Sequence, residues 1–301
     1  MELPYTEFYA NPRIMPMIGD PIGGGPIPAA YNKFFESVGL NRTLLPLKLA
    51  KGSLPEFMKV AKFLGIEQFT LTMPHKADII PLLDEVDEAS RLFSSVNVVT
   101  SIDGKYYGRG YDGIGTVGAL KAAGAKLQGA SVMMTGAGSI SGIIGYELAK
   151  NGVANLTILN RTVANAQAVA DKLNANTQMK SVAGGMTNAE LDAAAEKADV
   201  MLQVSAQGMR VVGDFAYLGF VDKLPKSCIV MEGVMAPIDT GLVKAATAAG
   251  FEPILGLDMT MHELGTIFKN LFDLTLEDQH KRMMVQIICA GYGQPLPKHW
   301  Q

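Results

Sequence analysis

The chain has 301 residues, of which 48% are apolar and 18% charged, and its formal net charge is −3. This length suits two domains with ample material for buried cores, while the lack of a basic stripe argues against nucleic acid or anionic membranes as partners. The sequence shows no apolar run of the length that a signal peptide or a membrane helix needs. We therefore expect a cytoplasmic protein with a small-molecule ligand, either a monomer or a homodimer.

The cysteines and histidines argue against a metal site. Cys228 and Cys289 lie in the apolar contexts SCIVM and QIICAG, without the spacing of metal ligands. The four histidines form no HExxH or similar array. We expect two buried thiols in a reducing compartment and no bound metal.

The first part of the chain alternates short apolar runs with segments of helical periodicity. The strands predicted there lie at 14–18, 43–49, 69–72 and 96–101, and the helices at 29–38, 54–64 and 78–95. The helix at 54–64 should bury one face, formed by Phe57, Val60, Ala61 and Leu64. The strand at 69–72 must stop before Met73-Pro74, because proline cannot continue a ladder. This alternation predicts an α/β layer whose sheet is at least partly parallel.

Residues 131–162 carry the most informative pattern of the chain. An apolar run at 132–134 meets a glycine-rich turn, and a helical segment to residue 150 leads to a second apolar run at 156–159. This order of strand, tight turn, helix and strand places a pyrophosphate at a helix N-terminus. Gly136 can supply the turn, Gly138 a close approach of the backbone to phosphates, and Ser141 is small enough for close packing of helix on strand.

A glycine fingerprint alone is weak evidence, but its flanks favour a dinucleotide site over a plain tight turn. The turn residues that we expect to contact the cofactor are Gly136, Ala137, Gly138, Ser139 and Ile140.

The end of the second strand of this unit distinguishes the two nicotinamide dinucleotides. An NAD site usually has Asp or Glu there to hold the ribose 2′-hydroxyl, whereas this chain has Asn160, Arg161 and Thr162. Arg161 offers a planar fork of donors suited to a phosphate, and its two neighbours add neutral hydrogen bonds. We therefore predict NADP, against the alternative that Arg161 is a solvated loop residue.

The remaining segments complete a second domain and return to the first. A helix at 113–124 bridges the domains, strands are predicted at 199–204, 228–234 and 252–255, and a helix at 240–249. The helical segment 258–290 is too long for the remaining sheet and should pack on the first domain. We assign residues 1–112 and 256–301 to a substrate domain and 113–255 to a cofactor domain. The cofactor should lie along the carboxyl ends of the second domain's strands, where Val204, Ser205 and Gly256 are expected contacts.

Several separate blocks of the sequence occur in the order of one known family. These blocks are IGDPI (18–22), TLTMPHK (70–76), SSVNVV (94–99), YDGIGTVGAL (111–120), GAGSISGIIGYELAKNG (136–152), NRT (160–162), SAQGM (205–209) and GLDMTMHE (256–263). On these blocks the chain resembles the shikimate dehydrogenase family over nearly its whole length. The resemblance implies an α/β protein of two domains, a Rossmann-type NADP-binding domain and an N-terminal α/β substrate domain completed by the C-terminal helices. It also implies NAD(P)-linked oxidoreduction of a cyclic hydroxy acid.

Within this resemblance, Lys76 matches the family's catalytic lysine and Asp112 the aspartate that pairs with it. A secondary hydroxyl that gives up a hydride must also give up a proton, which a lysine in a cleft can accept. Burial lowers the pKa of a lysine and a neighbouring carboxylate raises it, so Asp112 would orient Lys76 and limit that lowering. The alternatives are a solvated lysine at a helix start and an aspartate that only caps the helix after it.

Other matched positions concern the substrate. Asn97 matches a family residue that hydrogen-bonds substrate hydroxyls, and Thr72 fits a substrate contact beside the lysine. Thr70 stands where the family commonly has asparagine, so the resemblance supports its role less directly.

The departures from the family pattern fall on substrate recognition. Gly25 and Ile27 occupy the positions of two serines whose hydroxyls bind the substrate carboxylate in the family. Glu263 replaces a glutamine that reaches substrate hydroxyls, and an ionised carboxylate can only accept hydrogen bonds. Gln203 replaces the asparagine of the family's NATS-like block, and Met235 a frequent tyrosine.

Three hypotheses follow from these matches and departures. The first is an NADP-dependent dehydrogenase of this class that acts on a polyhydroxylated ring or a related alcohol. The second is a shikimate or quinate dehydrogenase that holds its carboxylate through Tyr31 or through the amides of residues 23–25. The third is a non-catalytic NADP-binding sensor, against which the presence of both Lys76 and Asp112 argues.

Overall fold

The structure, a computed structural model, describes residues 13–20, 22 and 25–301. They form two compact units, one with the residues up to Gly110 together with Phe268–Gln301, the other with Tyr111–Ile267. The sequence-based domain assignment, which gives residues 1–112 and 256–301 to one domain and 113–255 to the other, remains a prediction. Over the described part of the chain, no helix is both long and apolar enough to cross a membrane. The same residues include no group of three or more potential ligands placed to hold a metal ion.

The first unit contains a mixed sheet of six strands in the order β2-β1-β3-β5-β6-β4. The strands are β1 (Arg13–Gly19), β2 (Arg42–Lys48), β3 (Gln68–Leu71), β4 (Glu85–Val86), β5 (Val98–Ile102) and β6 (Lys105–Arg109). β1 runs parallel to β2 and β3, whereas β5 runs antiparallel to both β3 and β6. The sheet is therefore only partly parallel, as the sequence predicted. β4 and β6 were not predicted.

The helices of this unit are α1 (Ile27–Ser37), α2 (Leu54–Phe63), α3 (His75–Asp78) and α4 (Glu88–Phe93). The predicted buried face of α2 is right for Ala61, which is fully buried, and for Phe57, which packs on the core, but wrong for Val60 and Leu64, which are 51% and 61% exposed. The helix buries Leu54, Met58 and Ala61, a stripe with the spacing i, i+4, i+7.

The helix predicted at 78–95 is also wrong, because the chain there is broken into short pieces. A 3₁₀ turn at Ile80–Leu82 follows α3, the short strand β4 comes next, and α4 begins only after Asp87. Pro81 and the β4 pairing end the first helical segment. The Asp87 carboxylate accepts the N–H of Ser90 at 3.0 Å and so starts the new helix.

The second unit contains a five-stranded parallel sheet in the order β11-β10-β7-β8-β9. The strands are β7 (Ser131–Thr135), β8 (Asn155–Leu159), β9 (Lys180–Gly184), β10 (Val200–Gln203) and β11 (Ile229–Glu232). The helices before and between these strands and directly after β11 are α5 (Asp112–Ala122), α6 (Ser141–Lys150), α7 (Val163–Asn176), α8 (Asn188–Ala195) and α9 (Gly241–Ala248). The inner strands β7 and β10 are almost entirely buried, as parallel strands under helices must be, whereas the edge strand β9 is partly exposed.

Two predictions in this unit need correction. The expected strand at 252–255 is absent from the described residues, where Ile254 makes only an isolated bridge to Met231. The sequence analysis also assigned no element between Arg161 and Asp199, where the structure has α7, β9 and α8.

Two helices close the chain, α10 (Gly256–Phe272) and α11 (Asp278–Gly291), as the helical periodicity of 258–290 predicted. Phe268, in the C-terminal part of α10, is fully buried and stacks on Phe34 of α1 with ring centroids 4.5 Å apart. Tyr31 and Phe35 meet the same ring edge-on at 5.0 and 5.8 Å. This aromatic cluster attaches the tail to the first unit, and such pairs contribute energy beyond their buried area.

Candidate functional site

The glycine-rich turn after β7 has the backbone geometry that a phosphate site needs. Gly136 has φ +114°, and a Cβ there would lie 2.8 Å from the backbone nitrogen of Ser205, so only glycine fits. A Cβ on Gly138 would meet no atom within 4 Å, and Gly138 and Ser139 are exposed. The backbone is therefore accessible to solvent just before α6, and the N–H groups at the start of a helix attract an anion.

Ser141 holds this turn in place. It is the first residue of α6, is fully buried, and its Oγ accepts the N–H of Gly138 at 2.9 Å. The sequence analysis assigned it only a packing role. Within the described part of the chain, no hydrogen bond engages the N–H groups of Ser139 and Ile140. The serine thus fixes one amide of the turn, and the next two amides remain available to an anion.

The end of β8 lies beside this turn, because the N–H of Gly136 donates to the carbonyl of Leu159 at 2.8 Å. Asn160 follows, and its side-chain amide donates to the carbonyl of Thr162 at 2.9 Å. Arg161 and Thr162 are exposed, and Asn160 is half-buried. This hydrogen bond joins Asn160 to Thr162 and so constrains the loop that carries the guanidinium of Arg161. A constrained loop suits the predicted phosphate contact.

The loops after β10 and β11 reach the same edge of the sheet. The N–H of Val204 donates to the carbonyl of Thr135 at 2.9 Å, and Ser205 lies against Gly136. Gly256 begins α10, where a Cβ would lie 2.8 Å from the carbonyl oxygen of Gly233. The structure therefore brings together the predicted cofactor residues of this unit at the carboxyl ends of β7, β8, β10 and β11, the edge at which parallel α/β sheets bind ligands.

Three of the predicted substrate residues meet at one edge of the first unit's sheet. Thr72 follows β3 directly, and its N–H donates to the carbonyl of Ile18 at the end of β1 at 2.8 Å. The carbonyl of Asn97, just before β5, accepts the N–H of Leu71 at 2.8 Å. Thr70 lies within β3, on the same face as Thr72 because strand side chains alternate.

Lys76 is fixed at this edge by its backbone and by its neighbour. It is the second residue of α3, is half-buried, and its carbonyl accepts the N–H of Val96 at 3.1 Å. The preceding residue, His75, is fully buried, with Nε2 2.8 Å from the carbonyl oxygen of Leu49. That bond assigns the imidazole proton to Nε2 and anchors the start of α3.

The predicted carboxylate loop is described only in part, since residues 23 and 24 lie outside the described residues. Gly25 is half-buried, and a Cβ there would lie 3.5 Å from the hydroxyl oxygen of Tyr292. Ile27 is the first residue of α1, between the N-cap Pro26 and Pro28. Both prolines lack an N–H, so the first turn of α1 has fewer donors than an ordinary helix start.

Asp112 and Glu263 belong to the second unit, on α5 and α10. Asp112 is the first residue of α5, whose N-cap is Tyr111, and it is 8% exposed. Its position is therefore one residue past the cap that the alternative interpretation assigned to it. A Cβ on Gly115 would lie 2.7 Å from the Cβ of Glu263, so the two helices pack closely at these residues.

The sequence analysis missed a buried carboxylate at the end of β11. Glu232 is fully buried, accepts the N–H of Val234 at 2.8 Å and the Oγ–H of Thr240 at 2.7 Å. Burial raises the pKa of Glu232 to about 7, while the hydrogen bonds from Val234, Thr240 and Gln203 oppose that rise. The signal in the sequence was an acidic residue ending an apolar strand, CIVME.

Comparison with known families matches both units of the chain. The family described as the shikimate dehydrogenase substrate binding domain matches residues 17–99. The family described as shikimate / quinate 5-dehydrogenase matches residues 119–214. The curated shikimate dehydrogenase (NADP(+)) of Lysinibacillus sphaericus is 32% identical over 256 residues, which cover 84% of this chain and 90% of that protein.

Solved structures agree with these matches. Shikimate 5-dehydrogenase from Listeria monocytogenes, solved in complex with shikimate and NAD, has a TM-score of 0.87 and 24% identity, which shows a common fold. The alignment covers 94% of this chain and 99% of that one. A shikimate dehydrogenase solved in complex with NADP+ has a TM-score of 0.80 and 28% identity, covering 93% of this chain and 96% of that one. The fold class and the family resemblance predicted from the sequence are thereby confirmed.

Proposed function

The chain belongs to the shikimate dehydrogenase family, and we propose that it is an NADP-dependent oxidoreductase that interconverts a ring hydroxyl and a ketone. The observation that carries the proposal is the turn at Gly136–Ile140 at the start of α6, with Arg161 at the end of the neighbouring strand. Such an enzyme acts on a CH–OH group, with a nicotinamide dinucleotide as the hydride acceptor.

The residues at the carboxyl edge of the second unit's sheet fit NADP. The exposed backbone of Gly138 and Ser139 would hold the pyrophosphate, and Arg161 would hold the 2′-phosphate through its planar fork. Residues 160–162 include no acidic side chain of the kind that holds the ribose 2′-hydroxyl in an NAD site. When bound, NADP+ supplies the acceptor for the hydride that leaves the carbinol carbon. The relatives named shikimate dehydrogenase (NADP(+)) support the same cofactor.

We propose that Lys76 and Asp112 move the proton of the reaction. In oxidation, the Lys76 amine accepts the proton of the substrate hydroxyl; in reduction, its ammonium returns a proton to the ketone oxygen. Asp112 orients the amine and stabilises its charged form. The anchored backbone of Lys76 supports this role, because a proton acceptor must be held within hydrogen-bond reach of its substrate.

We propose that Thr72 and Asn97 bind the substrate's hydroxyls, with Thr70 and Glu263 as further contacts. A carboxylate at Glu263 accepts hydrogen bonds and favours a substrate with several hydroxyl groups to donate. Gly25 and Ile27 offer no hydroxyl donors to a substrate carboxylate, and Pro26 and Pro28 remove amide donors from the same segment. The favoured substrate is therefore a polyhydroxylated ring with a weak requirement for a carboxylate.

Two other candidates remain distinct from this one. A shikimate or quinate dehydrogenase would hold its carboxylate through Tyr31 or the 23–25 amides, and the family name supports it. A non-catalytic NADP-binding sensor would need the cofactor edge alone, and the presence of both Lys76 and Asp112 speaks against it. The two free, buried cysteines support a reducing compartment, and we place the protein in the cytoplasm.

The test is to follow NADPH formation by absorbance over shikimate, quinate and a set of cyclitols without a carboxylate. We expect turnover with a cyclitol and a weaker rate with shikimate. Micromolar KM for shikimate would support the second candidate instead. Tight NADP+ binding without turnover of any compound in either direction would support the sensor.

A further inference from the structure

The buried carboxylate of Glu232 lies at the centre of a hydrogen-bond network that the proposed reaction does not use. Its Oε1 accepts the N–H of Val234, and its Oε2 accepts the hydroxyl of Thr240, the N-cap of α9. Gln203 is its register partner on the neighbouring strand β10, and the carbonyl of Gln203 accepts the N–H of Gly233, the residue after Glu232. A buried carboxylate needs such partners, because its charge is otherwise costly to desolvate.

Gln203 extends this network to the phosphate turn. Its Oε1 accepts the N–H of Ser205 at 2.6 Å and the Oγ–H of Thr135 at 3.3 Å. Its Nε2 donates to the carbonyl of Gln207 at 2.6 Å. Because Thr135 immediately precedes Gly136 and Ser205 lies against it, the amide of Gln203 joins the end of β7 to the loop after β10.

Val234 extends the network in the other direction. A Cβ on Gly256 would lie 2.8 and 2.9 Å from the carbonyl oxygens of Gly233 and Val234, so the first residue of α10 packs on the segment that Glu232 holds. The N–H of Gly233 donates to the carbonyl of Gln203 at 2.7 Å. The network thus reaches Gly136, Ser205 and Gly256, three of the residues expected to contact the cofactor.

The position of the network in the sheet separates it from the adenosine end of the cofactor. The strand order is β11-β10-β7-β8-β9, so Glu232 on β11 and Arg161 after β8 lie on opposite sides of the phosphate turn. Changes at Glu232 should therefore act on the turn and on the loops after β10 and β11, and leave the Arg161 loop unchanged.

We propose that Glu232 is a positioning residue for the cofactor, acting through Gln203 and Val234 to fix the phosphate turn, the Ser205 loop and the start of α10 in their binding arrangement. The proposal rests on the proposed function, because it assumes that NADP binds at this edge. The raised pKa of Glu232 agrees with it, since Val234 and Thr240 donate to a carboxylate that burial disfavours and that the nearby Asp214 disfavours further.

The test measures two ligands by calorimetry with the full chain. NADP+ contains the pyrophosphate as well as the adenosine end, whereas adenosine 2′-monophosphate contains only the adenosine end and the 2′-phosphate that Arg161 should hold. We expect Glu232→Ala to raise the Kd of NADP+ at least tenfold and that of adenosine 2′-monophosphate less than twofold. Glu232→Gln keeps the length and one acceptor oxygen for the N–H of Val234, while its NH2 group can donate to the hydroxyl oxygen of Thr240 instead, so we expect the Kd of NADP+ to stay within threefold of wild type.

Two further variants keep the test decisive. Glu232→Asp retains the charge but is too short to reach Val234 and Thr240 together, and we expect a three- to tenfold loss for NADP+ if Glu232→Ala does not fold. Glu67→Ala is the control, because this carboxylate bonds Arg13 and Arg42 in the first unit, and its loss should lower stability without a change in Kd.

The outcomes separate this proposal from the one it rests on. Unchanged NADP+ affinity in Glu232→Ala and Glu232→Asp would overturn the positioning role while the proposed function stands. Equal losses for NADP+ and adenosine 2′-monophosphate would overturn it as well, since they would indicate general damage to the unit. If the wild-type protein bound neither nucleotide, the proposed function itself would be wrong.

Discussion

Two glycine-rich segments of the sequence precede helices, and the two helices start differently. In the second unit, the turn after β7 leads into α6 with Ser141, whose side chain fixes Gly138, while the amides of Ser139 and Ile140 have no hydrogen bond within the described residues. In the first unit, the segment after β1 leads into α1 through Pro26 and Pro28, which have no N–H groups. Glycine content alone is therefore a poor sign of an anion site. The donors at the helix start decide what the turn can bind.

This comparison assigns the two edges different tasks, which mutations can separate. The largest effect should come from Lys76→Ala, which we expect to lower turnover by roughly 10²–10⁴-fold because it removes the proposed proton acceptor. NADPH affinity should hardly change, since the lysine belongs to the first unit's edge. Steady-state rates and a fluorescence titration of NADPH measure the two quantities. A residual rate above about a tenth of wild type, or a matching loss of NADPH binding, would contradict the division of tasks.

The second largest effect should come from residues 25 and 27, which occupy the positions of the family's carboxylate-binding serines. Gly25→Ser combined with Ile27→Ser should increase kcat/KM for shikimate at least tenfold, because each hydroxyl bonded to a charged acceptor contributes roughly 1.5–3 kcal/mol. The rate on a cyclitol without a carboxylate should stay nearly constant, and it serves as the internal control. If wild type already uses shikimate with a micromolar KM, the 23–25 amides form the anion site that Pro26 and Pro28 were expected to weaken.

The cofactor edge should give a smaller but specific effect. Wild type is expected to bind NADP(H) at least tenfold more tightly than NAD(H), a difference of about 1.4 kcal/mol. Arg161→Ala should remove this preference by weakening NADP(H) alone, because NAD(H) has no 2′-phosphate. Fluorescence titrations of both cofactors test it. Equal affinities in wild type, or a preference that survives the substitution, would show that Arg161 is only a solvated loop residue.

The smallest effect tests what distinguishes the two glycine-rich segments. Ser141→Ala removes the side chain that orders Gly138, and a hydrogen bond of this kind contributes about 0.5–1.5 kcal/mol. We expect the Kd of NADP+ to rise about two- to tenfold. Ser37→Ala is the matched control, since its hydroxyl donates to the carbonyl of Phe34 at the end of α1. That variant should lose stability only, and similar NADP+ affinities in both variants would contradict the role of Ser141.

The first strand–turn–helix–strand unit of the second sheet could be predicted from the sequence, whereas α7, β9 and α8 of the same sheet and the break within 78–95 were missed. The unit at 131–162 has apolar runs of the expected length and a glycine turn between them, so local patterns sufficed. β4 depends on pairing with β6, a tertiary contact that helical periodicity across 78–95 does not show. Asp87 caps α4 by accepting the N–H of Ser90, a local signal that the sequence analysis overlooked.

The site follows the same rule. In the structure, Lys76, Asn97 and the cofactor turn lie near the ends of strands that the sequence predicted, and their roles remain predictions. The pairing of Gln203 with Glu232 depends on the register of two strands far apart in sequence. The sequence shows only that Gln203 replaces the family's asparagine and that Glu232 ends an apolar strand. Neither observation predicts which residue the other one pairs with.

The helix α10 has a consequence for dissecting this protein. It begins beside Gly233 in the second unit, while Phe268 near its other end lies in the aromatic cluster with Phe34. A fragment that ends at Ile267 would cut this helix and remove its aromatic anchor. Recombinant expression of the nucleotide-binding half alone should therefore extend to Phe272, and the exposed aromatic rings of such a fragment would make it prone to aggregation.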